Sequence, residues 1–571
     1  MSDMTTAPSG SEDRITGDLD RVSMNLTGKR RFLAPSIIVV IGLALYVPNL
    51  RWGLPGTVSW SQDTIAAMRT LGAARGWPEE WKGRYPPLHY LLLDSMYQPV
   101  VRQWQRTGEC AIDPATQGII LAEPHAPKLS RLFLIARIVS VVMAIATGLG
   151  VYCTARLLTG DVFAASVAAV TLMIGGAFTY FAHLGNVDIP VTCWFAWSAY
   201  AYVRSLRTRR WMDCALLGLL GALATSTKDS VAGVYPGMAV VLLVTEWRFQ
   251  LQLRSTLRSI VSALFQIRWL IGLVAFIIPV LYINGVFHDP APYLNRMSYW
   301  LDASADTLHA KQYRYSSRFG LLTATMWYGA GAVGWPLLAA MVVSTVYTLR
   351  RHTRIALILL APAVSYYLIV IAQIDFVYSR FLFPPLALLG ILVGIATTDL
   401  RRNRRLSIAV RCGLPLFVVL LSLGYSAGLV VEMGRDTRYQ AERWFEQNVK
   451  PPSSIGAFLL DDEMPLRPQY LPRVREMGYA TYPVAMRRDS FEQPQPEYLM
   501  LSSYNYEDFD AEQAACKASL VKGQLGYEPV AMFARRHAGG WLTIAGWGAP
   551  TPGKISPTII ILHRSERAIR P

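Results

Sequence analysis

The chain has 571 residues, of which 52% are hydrophobic and 16% charged. About a quarter of an ordinary soluble protein is charged, so this composition excludes a soluble globular enzyme of that size. The net charge of +16 sits mostly in short arginine clusters between apolar runs, which reads as topogenic charge and not as a nucleic-acid surface.

Residues 1–28 are polar and mixed in charge. They lack a short apolar core followed by a small-residue cleavage site, so they read as a disordered cytosolic tail and not as a cleaved signal peptide. Beyond them, a membrane span needs about twenty apolar residues. Eleven stretches meet that need: 32–50, 132–155, 162–182, 189–203, 211–226, 230–246, 269–287, 328–348, 355–373, 381–399 and 406–429. A twelfth candidate, 86–103 within "KGRYPPLHYLLLDSMYQPVVRQW", decides the sidedness of everything after it.

Cytosolic loops collect lysine and arginine. Lys29, Arg30 and Arg31 put the N-terminus inside. If 86–103 does not cross, the same side receives Arg204, Arg207, Arg209 and Arg210, then Arg248, Arg254 and Arg258. It also receives Arg350, Arg351 and Arg354, and Arg401, Arg402, Arg404 and Arg405. If 86–103 crosses, all of these move away from the N-terminal cluster. The segment is short, carries Asp94 and opens on Pro86-Pro87. It therefore reads as an amphipathic helix lying flat at the outer interface. The spacing thus predicts a polytopic α-helical membrane domain over 29–431, with external loops at 51–131 and 288–327. An external α/β domain follows over 432–571. There "DTRYQAERWFEQNV" reads as a helix, and "IGAFLL", "EYLMLS", "YEPVAMFA" and "TIIILHR" read as strands.

Carboxylates gather at the outer ends of the spans and in the outer loops: Asp63 in "SWSQDTI", Asp188 in "HLGNVDIP", Asp229 in "STKDS" and Asp289 in "FHDP". A carboxylate in hydrocarbon is costly, so this placement suits a site at the outer face rather than a polar path across the midplane. Cations join them there. Arg84 precedes the two prolines, Lys228 stands beside Asp229, and Arg380 begins "RFLFPPLALL". Arg296, His309, Lys311, Arg314 and Arg318 lie in the second loop. Such groups either hold a lipid phosphate or anchor the chain among headgroups. His288, Asp289 and His309 follow no metal-ligand spacing, so no metal and no cofactor is expected. Of six cysteines, only Cys110 and Cys516 fall in external soluble segments, where a disulfide between them is possible.

Taken in order, "SQDTIAAMRTL", "YPPLHYLLLD", "ARIVSVVMAI", "NVDIPVTCWFAW", "STKDS" and "SRFLFPPLALL" resemble the dolichyl-phosphate-mannose protein mannosyltransferase superfamily, whose bacterial branch includes the lipid A aminoarabinose transferases. This is the GT-C membrane glycosyltransferase fold. The series covers nearly the whole chain. Two departures stand out: Thr64 follows Asp63 where many members carry a second acid, and Tyr85 precedes the prolines where members often carry His or Lys.

The resemblance implies an inverting glycosyltransferase of the bacterial inner membrane. It would move a sugar from a polyprenyl phosphate carrier to a glycan, lipid or protein acceptor at the outer face. It implies Asp63 as the base and Asp188 as an orienting carboxylate, although each is also placed to cap a helix. Lys228 and Arg380, then Arg84 and Arg314, are the candidates for the departing phosphate, with Arg137 matching a family arginine and His309 beside them in the second loop. The competing reading is a flippase or transporter of lipid-linked sugars. It requires polar residues across the midplane, which the spans do not carry.

Overall fold

A computed structural model describes residues 30–55, 60, 85–112, 119–121, 125–251, 266–301 and 315–450. Beyond these it describes 453–459, 473–474, 477, 479–486, 488–491, 496–503, 511–535 and 555–565. The architecture before residue 437 is helical: α1 (Arg30–Tyr46), α2 (Leu88–Arg106), a short hairpin of β1 (Cys110–Ile112) and β2 (Ile119–Leu121), and α3 (His125–Thr159). Then come α4 (Val162–Met173), α5 (Gly176–Ala182), α6 (Asp188–Thr208), α7 (Trp211–Thr225), α8 (Tyr235–Leu251), α9 (Ile267–Ile283) and α10 (Ala291–Leu301). The helical part closes with α11 (Arg318–Val333), α12 (Trp335–Arg351), α13 (Thr353–Tyr366), α14 (Phe383–Arg402) and α15 (Leu414–Gly434). In hydrocarbon a helix satisfies its own backbone, so apolar runs of this length adopt no other open form.

Among the described residues, five helical stretches are long and apolar enough to cross a membrane: Pro127–Thr159, Asp229–Arg248, Thr353–Ile374, Ser379–Arg402 and Ala409–Asn448. Two bent pairs, α4 with α5 and α11 with α12, raise that to seven if each is one span. Phe32–Tyr46, Trp211–Thr225 and Ile267–Ile283 are shorter apolar helices.

Two of the expected spans are bent. The stretch 162–182 is not one straight helix; it turns by 71° after Met173. The stretch 328–348 is not one either; α11 and α12 meet at 119° around Gly334, whose φ of +86° suits glycine. The two corners touch, since a Cβ on Gly175 would sit 2.9 Å from the Ala332 carbonyl. The break frees carbonyls that water cannot reach, and neighbouring hydroxyls take them. Tyr46 Oη donates to Met173 O at 2.7 Å, and Ser426 Oγ donates to Ile174 O.

Ion pairs mark the two ends of the bundle. At one end Arg401 grips both oxygens of Asp161, Arg268 pairs with Glu246, and His352 Nε2 meets Asp399 at 2.6 Å. At the other lie Asp188, Lys228, Arg380, Asp229 and Asp375.

The C-terminal region begins with α16 (Thr437–Asn448), capped by the Asp436 side chain. It carries β3 (Ser454–Leu459), β4 (Ala480–Ala485), β5 (Tyr498–Ser502), α17 (Ala511–Val521), β6 (Tyr527–Phe533) and β7 (Ile559–Arg564). The sheet order is β4-β3-β5-β7-β6, parallel on the β4-β3-β5 side and antiparallel beyond it. Alternating residues face opposite helices. Ile559 and Ile561 pack with Ala441 and Phe445 of α16, while Ile560 and Leu562 pack with Cys516 and Leu520 of α17. Strand β4 was not expected, because Pro483 argues against a strand interior; it sits at the sheet edge, where a missing donor is tolerated. Cys110 and Cys516 lie in separate cores and are not joined by the possible disulfide.

Candidate active site

The position of α2 settles which residues meet. Leu88 N donates to Ser226 O at 3.0 Å, at the turn after α7. At the far end of α2, Glu109 pairs with Lys128 in the first turns of α3 at 3.8 Å. Both ends of α2 are therefore held at the same end of the bundle, the one that carries Asp188. Its inner face buries His89, Leu93, Tyr97, Val101 and Trp104 at helical spacing.

Three of the expected residues converge there. Asp188 opens α6, where the helix dipole favours a carboxylate, and its own N–H donates to Asn186 Oδ1 at 3.0 Å. Lys228 is extended (φ −156°) between α7 and a 3-10 turn over Asp229–Val234. Its ammonium donates to Asp188 Oδ1 at 2.6 Å with both side chains buried. Arg380 approaches from the turn before α14, with Nε 3.9 Å from Asp188 Oδ2. Aromatic rings wall the cluster: Lys228 lies 4.5 Å from the Phe381 ring centre, and Arg380 5.3 Å from that of Tyr378. Among the described residues, these three groups place two cations against one carboxylate, a net positive charge in a low-dielectric setting. Such a setting strengthens the attraction of an anion.

Arg137 has a different place. It is fully buried, and one terminal nitrogen donates to Leu50 O at 2.7 Å and Trp52 O at 2.8 Å. It holds the turn that follows α1. A line of rings, Trp52, Tyr180 and Phe181, runs from that turn to Arg380. Asp63, Arg84, His309 and Arg314 lie outside the described residues.

Three features went unread in the sequence. Arg296 of α10 donates through Nε to Asp229 Oδ2 at 2.8 Å, and through a terminal nitrogen to Asn284 Oδ1. Trp52 Nε1 donates to Asp436 Oδ2 at 3.0 Å, joining the first loop to α16. His89 is buried with neither ring nitrogen hydrogen-bonded to any of the described residues, and burial pushes its pKa from 6.5 down to about 3. Only the run "PPLH" hinted at it. Among the described residues no group of three or more His, Cys, Asp or Glu side chains stands close enough to hold a metal ion.

Residues 131–282 match the family model described as dolichyl-phosphate-mannose-protein mannosyltransferase. The match agrees with the resemblance carried by the motifs. No curated protein matches the chain. Similar solved structures include ArnT from Cupriavidus metallidurans bound to undecaprenyl phosphate, at 13% identity, covering 93% of this chain and 97% of that one, with a TM-score of 0.44. The Archaeoglobus fulgidus oligosaccharyltransferase in complex with zinc and sulfate is 12% identical, covers 88% of this chain and 72% of that one, and has a TM-score of 0.43. The Saccharomyces cerevisiae Pmt1-Pmt2 complex bound to the sugar donor is 14% identical, covers 50% and 36%, and has a TM-score of 0.30.

Proposed function

We propose that the chain is an inverting glycosyltransferase that takes a sugar from a polyprenyl phosphate carrier and passes it to a hydroxyl of an envelope glycan, lipid or protein. The observation that carries this reading is the Asp188–Lys228–Arg380 cluster, a ring-walled site in which, among the described residues, two cations meet one buried carboxylate.

The chemistry follows from the charges. The acceptor oxygen attacks the anomeric carbon on the face opposite the phosphate, and its proton passes to a carboxylate base, for which Asp63 is the candidate. The bond from the anomeric carbon to the phosphate oxygen breaks, and the polyprenyl phosphate leaves with that electron pair. Lys228 and Arg380 stabilise the charge that grows on the departing oxygen. Asp188 holds the two cations in register before the donor arrives. It yields part of that pairing to the phosphate.

In this reading the chain crosses the bacterial inner membrane eleven times from a cytosolic N-terminus. The arginine clusters face the cytosol, while the site and the C-terminal α/β domain face the periplasm. Helix α2 lies along the outer interface, and donor lipid enters beside it.

The test is transfer of radiolabelled sugar from a synthetic polyprenyl phosphate donor by purified protein, read as a product of inverted anomeric configuration. Movement of the lipid-linked sugar across a vesicle bilayer with no transfer would overturn the reading and favour a flippase.

A further inference from the structure

Among the described residues, the second loop reaches the turn that carries Lys228 through Arg296. Asp229, next to Lys228, and Ser226, two residues before it, both connect to that one guanidinium. Asp229 Oδ2 accepts from Arg296 Nε at 2.8 Å. Ser226 Oγ accepts from Asn284 Nδ2 at 3.3 Å, and Asn284 Oδ1 accepts from Arg296. Asn284 is fixed in turn by a second bond, from Nδ2 to Val280 O at 2.8 Å. The backbone passes from extended at Lys228 into the 3-10 turn at Asp229, and there Lys228 meets Asp188 while Asp229 meets Arg296 of α10. The Ser226 carbonyl also receives the N–H of Leu88 and so sets the start of α2.

Arg296 is almost wholly enclosed, with a side chain 3% exposed against 14% for Asp229. A buried carboxylate stripped of the cation it pairs with is strongly unfavourable, so the turn would rearrange rather than keep its form. The other described end of the second loop has a similar pair, Arg318 with Asp375, five residues before Arg380. That pair is open to water, with side chains 68% and 36% exposed, and solvent screens it.

We propose that Arg296 is a positioning residue for donor binding, which rests on the reading of Lys228 as a phosphate contact. Through Asp229 and Asn284 it fixes the turn that aims the Lys228 ammonium and seats the Pro-Pro end of α2. The second loop thereby sets affinity for the polyprenyl phosphate from a distance.

The experiment measures binding of sugar-free polyprenyl phosphate in detergent, and the donor KM and kcat of transfer, in Arg296→Gln, Asp229→Asn and the double variant. Arg296→Gln should weaken lipid phosphate binding and raise donor KM by tenfold or more, with acceptor KM unchanged. The double variant should be no worse than either single one, because both act through one turn. Arg318→Gln should stay within twofold of the parent. If Arg296→Gln fails to fold, Asn284→Ala breaks only the Ser226 arm and should still raise donor KM severalfold. Unchanged donor KM in Asn284→Ala and Arg296→Gln, or full additivity in the double variant, would overturn the inference. A parent protein that binds no polyprenyl phosphate would instead overturn the proposed function.

Discussion

Trp52 and Asp436, 384 positions apart, share a hydrogen bond of 3.0 Å that locks the turn after α1 to the start of the C-terminal region. Asp436 also accepts from Ser556 N at 3.0 Å and from Arg438 at 2.9 and 2.7 Å. Arg438 lies over the rings of Trp52 and Trp60, 5.3 and 4.4 Å from their centres. Asp436 and Arg438 are both fully enclosed, so Asp436→Asn takes from a buried guanidinium the carboxylate it pairs with. The expected loss is about 3–5 kcal/mol, against about 1 kcal/mol for the one bond removed in Trp52→Phe. Thermal unfolding of the detergent-solubilised protein should rank the two in that order.

Lys228 and Asp188 should behave as one unit. In the proposed function, Lys228→Met removes the ammonium assigned to the departing phosphate, and loss of one such stabilising group costs on the order of 100-fold in turnover. Asp188→Asn leaves Lys228 and Arg380 without their carboxylate and should reduce turnover as well. The double variant should fall short of the product of the two losses, because residues in one ion pair couple. Independent, fully additive losses measured in the transfer assay would separate Asp188 from the phosphate site.

How much of this was legible depended on whether a signal was local. Apolar runs and arginine clusters are read along the chain, and they located the helices and the shared end of Asp188, Lys228 and Arg380. The flat reading of 86–103 rested on charge bias, and the contacts of Leu88 and Glu109 now hold both ends of α2 on one side. The corners at Gly175 and Gly334 escaped because a glycine within an apolar run also fits a straight span, and the close approach of Gly175 to the Ala332 carbonyl is not visible along the chain. Arg137 carried a buried arginine signal, but its carbonyl partners stand at Leu50 and Trp52, and nothing near position 137 announces them. The Arg296–Asn284–Ser226 chain joins three elements by side-chain geometry, which periodicity does not encode.

Packing of α7 on α9 should be intolerant of added volume at one point. A Cβ on Gly218 would lie 2.1 Å from the Gly272 carbonyl oxygen, and a Cβ on Gly272 would meet the Cys214 carbonyl at 3.0 Å. Small residues let membrane helices approach this closely. Gly218→Val forces the pair apart and should cost about 1–3 kcal/mol. Gly424 of α15 is the control: nothing lies within 4 Å of its Cβ position, so Gly424→Ala should hold or raise the thermal midpoint. Equal shifts at the two glycines would contradict this close packing.

His89 gives the protein an acid limb of stability whose sign is fixed. In the unfolded chain its imidazole takes up a proton below about 6.5, whereas burial keeps the folded form neutral down to about 3. Its contribution is therefore intact above pH 6.5 and is lost as the pH falls, by about 1.4 kcal/mol per unit once the unfolded ring is charged. Among the described residues neither ring nitrogen has a hydrogen-bond partner, so an apolar ring of similar shape removes a desolvation cost without breaking a bond to them. His89→Phe should raise the thermal midpoint at neutral pH and flatten its decline between pH 6.5 and 4. An acid limb as steep as that of the parent would show that another group controls it.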